Sequence, residues 1–397
     1  MGVLEGLKIL DFTTLLPGPF ATMMMVDMGA EVVKVESPHR EDMTKKFLPM
    51  VGEVSALFAQ LNRSKKSISL DLKKQEAREV IFQLVNEYDI IFEQFRPGVM
   101  DRLGLGYEDI KKIKPDIIYC SLTGYGQTGP LSNKAGHDIN YLALSGSVSY
   151  SSRKNQPPVP PGIQIGDIGG GAMPAVISIL GAVYHRSQTG KGQYIDVSIT
   201  DVMYAFNVMY GTGYLAGGEN PEPEALMLNG GTFYDYYETK DGRYFSVGSL
   251  EPKFQKQLCT LLGDSELYKL SSSSSIKDQM QFKDIVTTAF KEKCFEEWLE
   301  CIGDEFDGCV EPVLKFSETV EHPQFKAREM IVPVMTVDGM EQKQIAFPIK
   351  FSDQPATYKY VGVQTGTHTM EVLKNNGWDE KQIKELADKG VFGSLNL

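Results

Sequence analysis

Two short stretches of this sequence combine residue types that could move a proton. His137 sits in Ala135-Gly136-His137-Asp138-Ile139-Asn140-Tyr141, a compact polar group that opens an apolar run. An imidazole titrates near neutral pH, so His137 could act as a general base or acid, and Gly136 permits close backbone approach. The same residues also fit a helix N-terminus with a structural histidine, and local sequence leaves both readings open. Asp167 stands in Gly166-Asp167-Ile168-Gly169-Gly170-Gly171, where a glycine-rich loop enters an apolar helix read as Ala172–Arg186. A carboxylate there could cap the helix. The glycines that follow suggest more, because a ligand can approach them and amides at a helix start, here Gly169–Gly171, can stabilise an oxyanion.

The other histidines carry less. His39, His322 and His368 lie in polar or proline-flanked segments that read as surface. His185 ends an apolar helix beside Arg186, where positive charge suits the helix dipole. Other chemistries lack their residues. The turn after the first strand is Leu16-Pro17-Gly18-Pro19-Phe20 rather than GxGxxG, and its prolines remove amides that would hold a pyrophosphate. There is no P-loop, no GxSxG, no HExxH and no Cys/His cluster, so no metal site is expected. Lys65, Lys66, Lys73 and Arg96 are candidate phosphate contacts, against the reading of a solvated basic face.

The elements that must position these residues alternate in period. Leu7–Phe12 reads as a strand, then a Pro-Gly turn and a helix with Ala21, Met24, Met25 and Met28, then the strand Glu31–Glu36. Ser67–Leu72, Ile90–Glu93, Ile117–Leu122 and Gln193–Ser198 continue the strands. Gln75–Asn86 is an amphipathic helix with Ala77, Val80, Ile81 and Leu84 on one face. The alternation predicts a doubly wound, mostly parallel α/β sheet. After the linker-like Gly217–Glu224, the alternating runs around Lys240-Asp241-Gly242 predict a hairpin. The expected organisation is a large Rossmann-like α/β domain of residues 1–224 and 326–397 and a small α+β domain of residues 225–325.

At 397 residues the chain is too long for one ordinary core, and 42% hydrophobic with 23% charged residues excludes wholesale disorder. A net charge of −12 argues against nucleic acid as a partner. Five cysteines without a CxxC pair read as reduced thiols, which fits a cytoplasmic protein. The apolar stretch Ala172–Tyr184 reads as too short to span a bilayer, and no signal peptide is seen.

Several blocks together resemble the family III CoA-transferases (CaiB/BaiF type), and within them the α-methylacyl-CoA racemases. They are Gly29–Pro38, Lys66–Lys73, Phe95-Arg96-Pro97-Gly98-Val99, Thr123–Pro130, Thr189-Gly190-Lys191-Gly192-Gln193 and Asp196-Val197-Ser198, in family order. The resemblance implies an acyl-CoA thioester as substrate, no cofactor beyond CoA itself, and two identical chains interlocked like links. It implies that Asp167 is a nucleophile in the transferases and a proton-exchanging group in the racemases. His137 matches a racemase acid/base group, and Glu251 a carboxylate that orients it. Asn229-Gly230-Gly231 is shorter than the glycine loop that shields the transferase intermediate in some members. The implied CoA contacts are Arg40, Leu70, Asp71, Leu72, Lys73, Arg96, Gly136, Asp138, Ile139, Asn140 and Tyr141. One departure stands out: Ser37 occupies a position where racemases often carry an arginine that meets the CoA phosphates, so either Arg40 substitutes for it or the CoA tail sits differently. The expected reaction is inversion of the α-carbon of a 2-methyl-branched acyl-CoA; acyl-CoA:carboxylate CoA transfer through Asp167 is the alternative. Met23, Met24, Met25, Met203 and Met209 are candidates for an acyl pocket, against plain core.

Overall fold

Six short strands, each followed by a turn and in most cases a helix, generate a parallel sheet. The structure is a computed structural model that describes residues 2–393. The elements that build this sheet and flank it are, in chain order, β1 (Lys8–Asp11), α1 (Pro17–Asp27), β2 (Glu31–Glu36), β3 (Lys66–Ser69), α2 (Gln75–Val85), β4 (Ile90–Glu93) and β5 (Ile118–Thr123). They continue with α3 (Asp138–Leu144), α4 (Met173–Thr189), β6 (Gln193–Ser198) and α5 (Ile199–Ala205). The strands lie in the order β3-β2-β1-β4-β5-β6 and every pairing is parallel, as the alternating pattern predicts. This is the Rossmann strand order, whose direction reverses between β1 and β4. Ligands of such sheets bind outside the carboxyl ends of the strands at that reversal.

Ala77, Val80, Ile81 and Leu84 of α2 are buried at the spacing of one helical face, against Leu10, Val33, Ile68 and Ile91 of the sheet. Burying each such aliphatic side chain stabilises the fold by roughly 1.5–3 kcal/mol. The C-terminal tail returns to this core through Val372, Leu373, Trp378 and Phe392.

Contacts divide the chain into two units. Among the described residues the first comprises 2–145, 161–205 and 324–393; the second comprises Gly146–Pro160 and Phe206–Pro323. Sequence placed Gly146–Pro160 and residues 206–224 in the large domain. Paired charges explain the difference: the Arg153 guanidinium grips Asp235 at 2.6 and 2.7 Å and Glu224 at 2.9 Å, partners 82 and 71 residues away. The second unit contains the expected hairpin, β7 (Asp235–Glu238) with β8 (Tyr244–Val247), over a core that includes Phe245, Phe282, Phe290 and Trp298.

The apolar helix is longer than sequence suggested. A π-helical turn, Gly166–Ala172, runs directly into α4, so one helix extends over Gly166–Thr189. By length and composition its 24 residues would cross a bilayer. Here it packs against β5, β6 and α1 as the crossover between two strands.

Candidate functional site

His137 is the N-cap of α3, with an exposed side chain, which is the helix N-terminus that one of the two sequence readings gave. The Asn140 side chain reaches back and accepts the His137 backbone N–H at 3.0 Å, fixing the entry of the chain into the helix. Tyr141 completes the turn: its hydroxyl donates to the Gly136 carbonyl at 2.5 Å. A Cβ on Gly136 would lie 2.7 Å from the Tyr125 hydroxyl and 2.7 Å from the Tyr141 ring, so the turn closes only around glycine. Ile139 is 52% exposed and Asn140 is also exposed.

Asp167 enters from the π-helical turn. Pro174, in the first turn of α4, has no N–H to give the Gly170 carbonyl, and its ring crowds that carbonyl. Widening the preceding turn relieves both problems, and the run Gly169-Gly170-Gly171 offers no side chain to oppose it. The glycines also permit close packing. A Cβ on Gly170 would meet Met203 at 3.0 Å, and one on Gly171 would meet Ile199 at 3.2 Å and Pro17 at 3.3 Å. This corrects the expected oxyanion donors. Gly169–Gly171 do not form a loop with free amides. They lie inside a helical turn whose N–H groups bond five residues back, and the Met173 N–H that ends it donates to Ile168 O.

Asp138 joins the two candidates. Next to His137 in sequence, it accepts the Asp167 backbone N–H on Oδ1 at 2.8 Å. A Cβ on Gly166 would come within 2.9 Å of that same oxygen, so Gly166 is needed for the contact. Burial pushes the Asp167 carboxyl up to about 6; the neighbouring Asp138 carboxylate adds to the rise, and a charged His137 opposes it. The structure thus brings His137, Asp138 and Asp167 into one electrostatic group. The role of Asp138 toward Asp167 was not legible from sequence, which placed it only among the CoA contacts.

The other sequence candidates divide. Arg40, Lys73 and Arg96 are exposed and follow the carboxyl ends of β2, β3 and β4, the edge of the sheet where ligands bind. Asp71 lies beside His39 at 3.3 Å and caps the Lys73 N–H; Leu70 is buried and Leu72 packs on the core. Lys65 and Lys66 are not surface phosphate ligands. Lys65 is 1% exposed and pairs with Asp11, whereas Lys66 opens β3 at the opposite edge and pairs with Glu371 at 3.1 Å. Glu251 belongs to the second unit, where it is the exposed N-cap of the helix Pro252–Leu261. His368 is not a surface residue: its Nδ1 accepts the Ser67 N–H at 3.1 Å, and burial lowers its pKa. Met23, Met24, Met25 and Met203 are buried core, and Met209 is an exposed residue of the second unit.

Sequence missed Glu93 altogether. This buried carboxyl ends β4, and burial pushes it up to about 7, against the Ser121 hydroxyl and the Phe95 N–H at 2.7 Å. It lines a cavity of about 170 Å³ with Tyr119, Ser121, Gln127 and Tyr194. The hint was a charge closing an otherwise apolar strand.

The family model for CoA-transferase family III matches residues 4–369. The chain belongs to this family. It is similar to the alpha-methylacyl-CoA racemase of Mus musculus, 34% identical over 100% of this chain and 99% of that protein. It is also similar to the succinyl-CoA:glutarate CoA-transferase of Homo sapiens, 32% identical over 98% of this chain and 89% of that protein. Among solved structures, a CAIB/BAIF family protein from Brucella suis superposes with a TM-score of 0.81 at 30% identity, covering 94% of this chain and 99% of that one. Membership makes the chain an enzyme of the CoA-transferase and racemase superfamily, with an acyl-CoA substrate consistent with it. The α/β fold with a central parallel sheet expected from sequence is shared with the Brucella suis protein.

Proposed function

We propose that this family III member inverts the stereocentre next to an acyl-CoA thioester, with a 2-methyl-branched acyl group as its substrate class. The observation that carries this reading is the His137–Asp138–Asp167 group, in which a carboxyl poised at about 6 shares its surroundings with an imidazole. Inversion needs one group to remove the α-proton and another to return a proton from the opposite face. Asp167 near its midpoint occurs in both protonation states around neutral pH, so it suits either task. His137 supplies the partner. The thioester oxygen gains negative charge in the enolate, and the Gly166–Thr189 helix turns its positive end toward the site. Arg40, Lys73 and Arg96 are exposed cations available for the CoA phosphates.

Interlocking of two copies belongs to the same proposal. Ile177 and Tyr184 on α4 are each 70% exposed, an apolar surface that a second copy would cover. Transfer of CoA to a carboxylic acid through an Asp167 anhydride is the second reading, favoured by the similarity to the human transferase. One experiment separates them. A 2-methylacyl-CoA incubated in heavy water without any acceptor acid should take up α-deuterium. CoA appearing only on an added carboxylic acid, with no deuterium in the substrate, would replace inversion by transfer.

A further inference from the structure

Lys65 places its amine in the interior without any part in the chemistry described above. Its Nζ donates to the Pro19 carbonyl at 2.9 Å and to Asn62 Oδ1 at 3.1 Å, and lies 3.5 Å from Asp11 Oδ2. Asp11, also fully buried, ends β1 and holds the turn that follows. Its Oδ1 accepts the Thr13 N–H at 2.8 Å and the Thr13 hydroxyl at 2.6 Å, and its Oδ2 accepts the Thr22 hydroxyl of α1 at 2.6 Å. Lys34, buried beside them, donates to the Thr13 carbonyl at 2.6 Å. Buried ion pairs are replaceable by packed apolar residues at little cost, so stability alone is a poor reason for two lysines under one turn.

The turn they hold leads to the site. Pro17 and Pro19 bring no N–H to the start of α1, and the Gly18 N–H between them goes to Gln94 Oε1 at 3.1 Å. The start of α1 is therefore fixed by side chains from β1, β4 and the approach to β3. Gly171 packs against Pro17 on one side and Ile199 on the other, and it lies about one helical turn from Asp167. We propose that Lys65 is a positioning residue for Asp167, acting through the Pro17–Pro19 start of α1 on which the π-helical turn is seated. This rests on Asp167 being a catalytic group, as argued above. A displacement of about 1 Å at a reacting group can cost on the order of 10²-fold in rate.

The test uses Lys65→Met, which keeps the stem and removes the ammonium, and the isosteric Asp11→Asn, should the first variant not fold. Arg243→Met is the control, since it breaks the Arg243–Glu318 pair of the second unit at 2.8 Å without touching α1. The readouts are kcat and KM for α-deuterium exchange, on protein shown to be folded by circular dichroism. Lys65→Met and Asp11→Asn should each lower kcat on the order of 10²-fold with KM unchanged, and Arg243→Met should change neither. Addition of ethylammonium to folded Lys65→Ala should restore part of kcat. Folded Lys65→Met with the kcat of the wild type would overturn the proposal. If the wild type transfers CoA instead of exchanging the α-proton, inversion fails but Lys65 does not; the same kcat loss is then expected for acyl transfer through Asp167, and its absence overturns the positioning role.

Discussion

The side chain of Asp138, at the start of α3, accepts the backbone N–H of Asp167 at 2.8 Å, so two carboxylates meet at the start of the crossover helix. Like charges disfavour joint ionisation, and burial already disfavours ionisation of Asp167. The pair therefore sets the protonation state on which the proposed chemistry depends.

Asp138→Asn removes the like charge and keeps an oxygen for the amide. The Asp167 carboxyl should then titrate at lower pH, while burial still holds it above the ordinary carboxylate value. The kcat/KM profile should show its Asp167 limb moved toward acid. An unmoved limb would show that Asp138 does not tune Asp167.

Gly166→Ala inserts a methyl 2.9 Å from the Asp138 carboxylate. The carboxylate must withdraw from the Asp167 amide, so the rate should fall and the same limb should move toward acid. Unchanged kinetics in a folded Gly166→Ala protein would show that this contact is not needed.

Stability should carry the signature of Asp167 as well. Its folded pKa lies above the ordinary carboxylate value, so the folded state holds the proton more tightly than the unfolded chain. The stabilisation from protonated Asp167 is full below about 4 and is lost as pH rises through about 6. Asp167→Asn should thus gain thermal stability over the wild type as pH rises from 4 to 7. A difference in Tm that stays constant over that range would contradict the raised value.

Arg63 is fully buried, donates from Nε to Asp27 at 2.9 Å and stacks over the Tyr358 ring at 4.7 Å. Arg63→Met leaves Asp27 buried without its partner, which should cost about 3–5 kcal/mol in denaturant unfolding. Arg63→Met with Asp27→Leu should recover most of that loss. A single variant as stable as the wild type would mean that water or another group reaches Asp27.

The doubly wound sheet was legible because strand and helix periods alternate and the helix faces, such as Ala77, Val80, Ile81 and Leu84, are unambiguous. His137 and Asp167 stood out because polar residues and glycines interrupt apolar runs. Local pattern could not show which residues meet across 20 or more positions. The Asp138–Asp167 contact and the pairing of Arg153 with Asp235 depend on such meetings. Charge in sequence was equally silent about depth, so Lys65 read as a surface cation although it pairs with Asp11 inside the fold. The helix start was misplaced for a different reason: glycines normally mark a loop, and here they make room for a widened turn before Pro174.

Deuterium incorporation into each pure enantiomer of a 2-methylacyl-CoA, followed by mass spectrometry, tests the two-group mechanism most directly. If His137 and Asp167 serve opposite faces of the α-carbon, His137→Ala should suppress exchange from one enantiomer more, and Asp167→Asn from the other. Both variants should lose net inversion by about 10²–10⁴-fold. Equal losses on both enantiomers in both variants, or a fully active His137→Ala enzyme, would contradict it.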